Sequence, residues 1–481
     1  MSKVQILWFR NDLRLRDHVA LNGAAEEGPV IPVYVVPNAW NGKSREAGLA
    51  RMSARRKAFL RECLADLRQS LQERGSELIV RTGRPAQVLA DLAEEVGAEA
   101  VHYTFEPADQ ERRAAARVKQ ALAGVGVECY DYDGATLYYS EDLPFPASQT
   151  PDTFSKFRGK VEKYGEVQPP VTIPTLEAPA TWPDAGNLPE VPQVEADPRA
   201  VLPFKGGETA ALERLMAYCG PKGPLREYKE TRNGLLGADY SSKFSPWLAT
   251  GCISPRTIYA QVRRYEEAVI KNKSTYWLIF ELLWREYFRF WTERHGNSLF
   301  QFAGPRNAPY KVHPQQESRF QAWIEGQTGA PLIDANMIEL SQTGFMSNRG
   351  RQIVASFLVK DLGVNWTWGA EYFESQLLDY DVCSNWGNWT YVAGVGADPR
   401  QDRYFHTLVQ ADRYDGKGAY VRHWIPELKA VPDGRVHTVF AQPVADLQRW
   451  NVSLGDDYPM PVVVPQPWRK NLPKSYTART V

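Results

Sequence analysis

Twelve prolines fall between Pro144 and Pro203. No helix or central strand tolerates that density, because proline lacks the backbone N–H and clashes with the preceding turn. The stretch splits a chain of 481 residues into two parts with different patterns. Before it, short β-rich runs alternate with amphipathic helical runs; after it, helical periodicity dominates. A chain of this length exceeds one ordinary core, so the expected organisation is a first domain over 1–133, a linker over 134–205 and a second domain over 206–481. Within the linker only Thr153–Tyr164 has a helical pattern, and the rest is expected to run extended over the surface.

In the first domain, strands are expected over Val4–Phe9, Val30–Pro37, Glu77–Thr82, Ala100–Phe105 and Val127–Asp131, with helices over Ser53–Arg74, Pro85–Val96 and Asp109–Gly124. Such alternation implies an α/β fold with a parallel, doubly wound sheet. The turn after the first strand, FRNDLRLRDH, contains no glycine. It therefore lacks the G-x-G-x-x-G fingerprint, which argues against a dinucleotide in this half. Its crowd of Arg10, Asn11, Asp12, Arg14, Arg16 and Asp17 is read as a salt-bridged surface loop; the alternative is a contact surface for the second domain or a small ligand.

The formal net charge is zero, so only local patches could attract a polyanion. Cys63, Cys129, Cys219, Cys252 and Cys383 lie far apart with no C-x-x-C pair, which argues against a metal centre or disulfide framework and fits a reducing compartment. No segment is apolar enough to span a bilayer, and the chain enters a strand almost at once. A cytoplasmic monomer is expected.

The second domain is expected to be all-α, with helices over Glu208–Cys219, Pro255–Lys271, Thr275–Arg294, Gln315–Glu325 and Pro331–Thr343, and two more within 343–396. On Thr275–Arg294, Trp277, Trp284 and Trp291 recur every seven residues and share a face. Trp277 and Trp291 are read as a core seam, whereas Trp284 has Glu281, Arg285 and Glu286 for neighbours. The run Ser241, Ser242, Lys243, Phe244, Ser245 precedes Pro246 and an apolar helix, and hydroxyls, a cation and free N–H groups there would suit a phosphate. Arg232, Lys243, Arg256, Arg263 and Arg264, with Asp239 as the one acid among them, and then Arg349, Arg351 and Lys360 form basic islands interleaved with aromatics. These are either a solvated basic face or a hold on nucleic acid. The stretch from Thr343 to Gly396 sets Trp366, Trp368, Trp386 and Trp389 beside Asn348, Arg349, Arg351, Asp379, Asp381 and Asn385. Buried charges in that number need each other or a polar ligand.

The segments SSKFSPWLATGCISPR, ELLWREYFRFW, GFMSNRGRQIVASFLVKDLG and LDYDVCSNWGNW, four motifs in order, resemble the flavin-binding domain of the photolyase/cryptochrome family. SSKFSPWLATG, MSNRGRQ and DYDVCSNWGNW followed by Tyr391 point to its DASH-type branch. The resemblance covers nearly the whole chain and implies FAD held inside the helical domain. Tyr228 and the run Ser241, Ser242, Lys243, Phe244 and Ser245 would hold its phosphates, and Arg285 its pyrophosphate. Asn348 and Arg351 would contact the flavin side, with Arg351 paired to Asp379; Asp379 and Asp381 would bond ring, ribitol or adenine; Asn385 would sit beside flavin N5. The implied chemistry is light-driven electron transfer from reduced flavin to a cyclobutane pyrimidine dimer flipped out of DNA. Glu281 would bond the dimer and also lie against the cofactor, Trp284 would stack on the dimer, and Asn348 would stand at the cavity edge. Gln352 replaces a methionine and Tyr391 a tryptophan of duplex photolyases, which implies a preference for single-stranded DNA.

Trp389 and Trp366 match the first two members of the family's electron-carrying tryptophan chain. The third is expected ten residues before Trp323, where His313 stands, so Tyr310 or another aromatic must complete the route or photoreduction slows. Glu111 matches the carboxylate that contacts a methenyltetrahydrofolate antenna, with Glu106 the weaker choice. Three functions follow from the resemblance: a single-strand-preferring dimer photolyase, a blue-light receptor that binds FAD and nucleic acid without repair, and a conventional duplex photolyase.

Overall fold

The computed structural model describes residues 3–398, 400, 403–473 and 476; the ends of the two expected domains, 1–2 and 477–481, lie outside the described residues. Strands β1 (Val4–Phe9), β2 (Val30–Pro37), β3 (Ile79–Gly83), β4 (Ala98–Thr104) and β5 (Glu128–Tyr132) form one sheet in the order 3-2-1-4-5. Every pairing is parallel, Gln5 lying opposite Val30 on one side and Ala100 on the other. Helices α1 (Val19–Glu27), α2 (Ala54–Gln72), α3 (Pro85–Val96) and α4 (Asp109–Gly124) cover it. Central strand β1 is buried on both faces, so its side chains serve two cores. Leu7 and Phe9 pack with Leu21 of α1 and Phe59 and Leu64 of α2, while Ile6 and Trp8 pack with Leu89 of α3 and Val118 of α4. The expected elements stand within two residues of their places; α1, short and rich in alanine, had no periodicity to reveal it.

The turn after β1 corrects the surface-loop reading. Asp12, Arg14 and Asp17 are buried, the last at 0% exposure. Asp17 receives both a 2.8 and a 3.0 Å hydrogen bond from Arg256, itself at 0%. Arg14 donates to the carbonyls of Gly251 at 3.0 Å and Gly134 at 2.8 Å, and the Leu15 and Arg16 N–H groups donate to Glu208 at 2.8 and 3.0 Å. Asp17 and Arg14 can be buried there because each meets an opposite charge or a carbonyl beyond the first domain, and Asp12 because it accepts from the Arg10 N–H and the Thr104 hydroxyl. The approach is close enough to require glycine: Gly251 has φ +70°, and a Cβ on it would stand 2.0 Å from the Asn11 oxygen.

After α5 (Phe154–Tyr164) the chain has no helix or strand until α6 (Glu208–Tyr218). It runs along the sheet side, where the carbonyls of Val171, Glu177 and Ala185 accept from the N–H groups of Asp17, Val30 and Val80. The remainder is helical: α7 (Tyr228–Thr231), α8 (Ser245–Thr250), α9 (Pro255–Ala268), α10 (Lys273–His295), α11 (Gln316–Ile324), α12 (Pro331–Thr343), α13 (Asn348–Ser356), α14 (Trp366–Gln376), α15 (Val382–Ala393), α16 (Thr407–Asp415), α17 (Ala419–Trp424) and α18 (Val444–Arg449). Three helices, not two, occupy 343–396, and α13 runs on into a wider π-helical turn over Phe357–Asp361. Trp291 is core, as expected, but Trp277 is half-buried, flat against Phe280 at 4.7 Å and under the Lys229 ammonium at 4.8 Å.

Candidate functional site

Helix α10 starts on a capping box: the Asn272 side chain accepts from the N–H groups of Ser274 and Thr275 while Thr275 accepts from the Asn272 N–H. With the helix fixed from its first turn, Glu281, Trp284 and Arg285, three and four residues apart, point to one side. There they line a cavity of about 450 Å³, within the range of ligand sites. The loop 241–244 and the start of α8, the start of α13 and the segment before α15 close its other walls. Tyr228, Ser241, Ser242, Lys243, Phe244, Ser245, Asn348, Arg351, Gln352, Asp379, Asp381 and Tyr391 all reach it. Asn385 and Trp389 line an adjoining cavity of about 100 Å³ that shares Asn348, Arg351, Asp379 and Asp381 with the first. Trp366 and Glu111 line neither.

Lys243 has φ +55°, a left-handed conformation that costs a non-glycine residue energy. The turn buries its ammonium between the rings of Tyr240 at 3.7 Å and Phe345 at 4.6 Å. Nζ has no hydrogen-bond partner among the described residues, and burial pulls its pKa down to about 7 against the pull of Glu339. A buried cation without an acceptor is costly, and a phosphate would supply one. Arg351, over the same Phe345 ring at 5.5 Å, donates to Asp379 Oδ2 at 2.7 Å, the expected pair, while Asp379 Oδ1 and Gln352 Oε1 have no partner among the described residues. Asp381 caps α15, accepting the Ser384 N–H at 2.7 Å, with Arg289 at 3.3 Å. Burial alone would raise its pKa; Arg289 and Arg285 outweigh that and hold it lowered. The Asn385 amide is fixed by donating to the Ala370 carbonyl at 3.0 Å. Together these unpartnered atoms fit a ligand that carries both phosphates and a polar ring.

In the same cavity Trp284 stacks on Phe154 at 3.8 Å and meets Tyr391 edge-on at 6.0 Å and 89°. Arg403, held by Asp398, lies over the Tyr391 ring at 5.0 Å. Glu281 is bound by Arg232; burial raises its pKa, and Arg232 pulls the other way. The sequence shows Arg232 only as part of a basic island and carries no signal for this pairing, nor for the parts played by Arg289 and Arg403. The islands do not form one basic face: Arg256 is locked to Asp17, and Arg349 donates to Asn233 at 3.0 Å beside the Tyr414 ring.

Trp389 is buried with its ring edge-on to Phe373 at 5.1 Å and Trp323 at 6.3 Å. Trp366, fully buried, meets Trp386 at 5.6 Å. His313 is half-buried and accepts the Gln315 N–H at Nδ1. The Tyr310 hydroxyl accepts from the Trp366 N–H and donates to the Val364 carbonyl, both at 2.9 Å.

A third cavity, of about 240 Å³, lies where the sheet part meets the helical part, with Trp8, Tyr34, Trp40, Glu106, Glu111 and Tyr380 among its walls. Glu106 is tied to Arg10 at 2.8 Å and Asn11 at 2.5 Å. Glu111 Oε2 has no partner among the described residues, and burial, with Glu106 nearby, raises its pKa to about 7. Of the two carboxyls, Glu111 is the one left for a ligand.

Residues 5–179 match the DNA photolyase family, and residues 277–478 match the FAD binding domain of DNA photolyase. Over 470 residues the chain is 47% identical to the cryptochrome DASH of Synechocystis sp., covering 95% of this chain and 94% of that one. It is 43% identical over 482 residues to the cryptochrome DASH of Xenopus laevis, covering 98% and 92%. A crystal structure of a Synechocystis sp. cryptochrome superposes with a TM-score of 0.93 at 46% identity, over 96% of this chain and 97% of that one. A bacterial class III photolyase from Agrobacterium tumefaciens superposes with a TM-score of 0.85 at 31% identity, over 98% and 96%. With a parallel five-stranded sheet leading into a helical FAD-binding part, the chain belongs to the DASH branch of the photolyase/cryptochrome family.

Proposed function

We propose that this flavoprotein repairs cyclobutane pyrimidine dimers under blue light, preferentially in single-stranded DNA. The observation that carries the reading is one cavity lined by two chemically distinct sets of groups: the unpartnered Lys243 ammonium and Asp379 oxygen, and the perpendicular rings of Trp284 and Tyr391. When bound, FAD would supply the light-driven one-electron chemistry that opens the cyclobutane ring.

The chain does the rest. Tyr228, Lys243, the Ser241, Ser242 and Ser245 groups with Phe244 between them, and Arg285 hold the phosphates; Arg351, Asp379, Asp381, Asn348 and Asn385 orient the ring system. Glu281, whose pKa burial raises against the pull of Arg232 and whose carboxyl Arg232 positions, hydrogen-bonds the dimer. Trp284 stacks on the dimer, and Tyr391 and Gln352 bound it. A phenol offers less stacking area than an indole, so less energy offsets the unpairing of a duplex. That difference favours a strand already single. We place methenyltetrahydrofolate in the interface cavity, held by Glu111, and the protein in the cytoplasm as a monomer. Its five free cysteines suit that compartment. No helix of the described residues is long and apolar enough to cross a membrane.

The test is repair of a thymine dimer in single-stranded and duplex oligonucleotides under blue light. Faster repair of the single strand is expected. Equal rates would make this a conventional duplex photolyase, and no repair of either would make it a light receptor that binds FAD and nucleic acid.

A further inference from the structure

Tyr380 lines both the small cavity beside Trp389 and the interface cavity around Glu111. Its hydroxyl accepts the Trp386 indole N–H at 3.3 Å and donates to Glu374 Oε2 at 3.1 Å. The other oxygen of Glu374 is held by Arg51 at 2.7 Å, so Oε2 remains for the phenol. Trp386 in turn meets the Trp366 ring at 5.6 Å and sits one turn before Trp389 on α15, where side chains three apart are neighbours. Trp386 thus links the Trp366 ring to the Tyr380 hydroxyl and stands one helical turn from Trp389.

From this geometry we infer that Tyr380 is the terminal electron donor of the photoreduction route, with Glu374 as its proton acceptor. The inference rests on the reading of Trp389 and Trp366 as electron carriers, with light-excited oxidised flavin as the one-electron oxidant. Once the indole series has lost an electron and the vacancy has reached Trp386, Tyr380 passes one electron to Trp386, which returns to a neutral indole. In the same step the phenol O–H bond breaks and the proton bonds to Glu374 Oε2, leaving a neutral phenoxyl radical. The distance is within reach of direct proton transfer. The proton must leave with the electron, because the Arg56 guanidinium lies over the Tyr380 ring at 4.6 Å and a phenol radical cation beneath it would be repelled. Tyr310 does not compete: its hydroxyl donates to the Val364 backbone carbonyl, which, unlike a carboxylate, is no base toward a phenol proton. His313, half-buried beside Gly363, is then not needed.

The experiment is electron paramagnetic resonance of the FAD-loaded protein after illumination in the cold, with tyrosine unlabelled or ring-deuterated, beside the rate of flavin photoreduction and the FAD content. A tyrosyl signal that narrows on deuteration is expected in the unaltered protein. In Tyr380→Phe, which keeps the ring under Arg56, that signal should give way to an indole radical and photoreduction should fall several-fold. Glu374→Gln, which lines only the interface cavity, keeps a hydrogen-bond acceptor but removes the base, and should lose the tyrosyl signal with full FAD content. A tyrosyl signal that survives both substitutions, or that vanishes in Tyr310→Phe instead, overturns the assignment. If Trp389→Phe abolishes photoreduction while Tyr380→Phe and Glu374→Gln leave signal and rate unchanged, the tyrosine alone is refuted. If Trp389→Phe photoreduces undiminished with FAD bound, the underlying route is refuted as well.

Discussion

Lys243 shows how one residue can trade stability for binding. Its folded pKa of about 7 lies below the ordinary value of 10.5, so between those values the unfolded chain binds a proton that the folded, flavin-free chain does not. Flavin-free protein should therefore gain stability as pH rises from about 7 towards 10.5, and the full penalty should be present below about 7. Urea midpoints across that range check the sign. Lys243→Met should raise the flavin-free midpoint yet weaken FAD by about 10–100-fold, the worth of about 1.5–3 kcal/mol for a hydrogen bond to a charged group; flavin titration by fluorescence reads it. The same residue marks what sequence could give. The hydroxyl-and-cation run was visible as a phosphate candidate, and the Arg351–Asp379 pair as a charge needing a partner. Arg232 against Glu281, forty-nine positions apart, was not visible, because nothing local couples residues that meet only through tertiary packing.

At the level of elements, legibility followed periodicity. Strands β1 and β2 came out residue for residue, since a central parallel strand is a bounded apolar run. Helix α15 did not, because its sequence VCSNWGNWTYVA mixes asparagine, glycine and serine into faces that are nearly all buried. Its packing explains the composition: a Cβ on Gly387 would stand 2.3 Å from the Phe288 ring. The charged turn after β1 was misread for a related reason. Surface loops and buried ionic interfaces have the same composition, and only the opposing Arg256, Gly251 and Glu208 tell them apart. Asp17→Asn should destabilise the protein by about 3–5 kcal/mol, the usual result of leaving a buried charge alone. Arg256→Met with Asp17→Leu should recover most of that loss in the same urea titration.

Across the whole molecule the two parts meet at the interface cavity, where the proposed antenna carboxyl and the proposed terminal donor both stand. Glu111 belongs to the sheet part and Tyr380 to the helical part, yet both line it. Purified protein should carry a folate band in the near ultraviolet beside the flavin bands, and Glu111→Gln should weaken the folate band while leaving the flavin unaltered. The proline-rich segment, bonded to the sheet part at Val171, Glu177 and Ala185, passes around this assembly. The ionic lock of Asp17, Arg14 and Glu208 with Arg256, Gly251 and the Leu15 and Arg16 N–H groups joins the halves, and the segment adds only Val171 to it. Chain continuity beyond Ala185 is therefore dispensable as a tether. A protease cut between the exposed Glu195 and Ala196 should yield two fragments that co-elute, remain yellow and photoreduce together, and the same junction offers a place to reconstitute the protein from two separately encoded pieces.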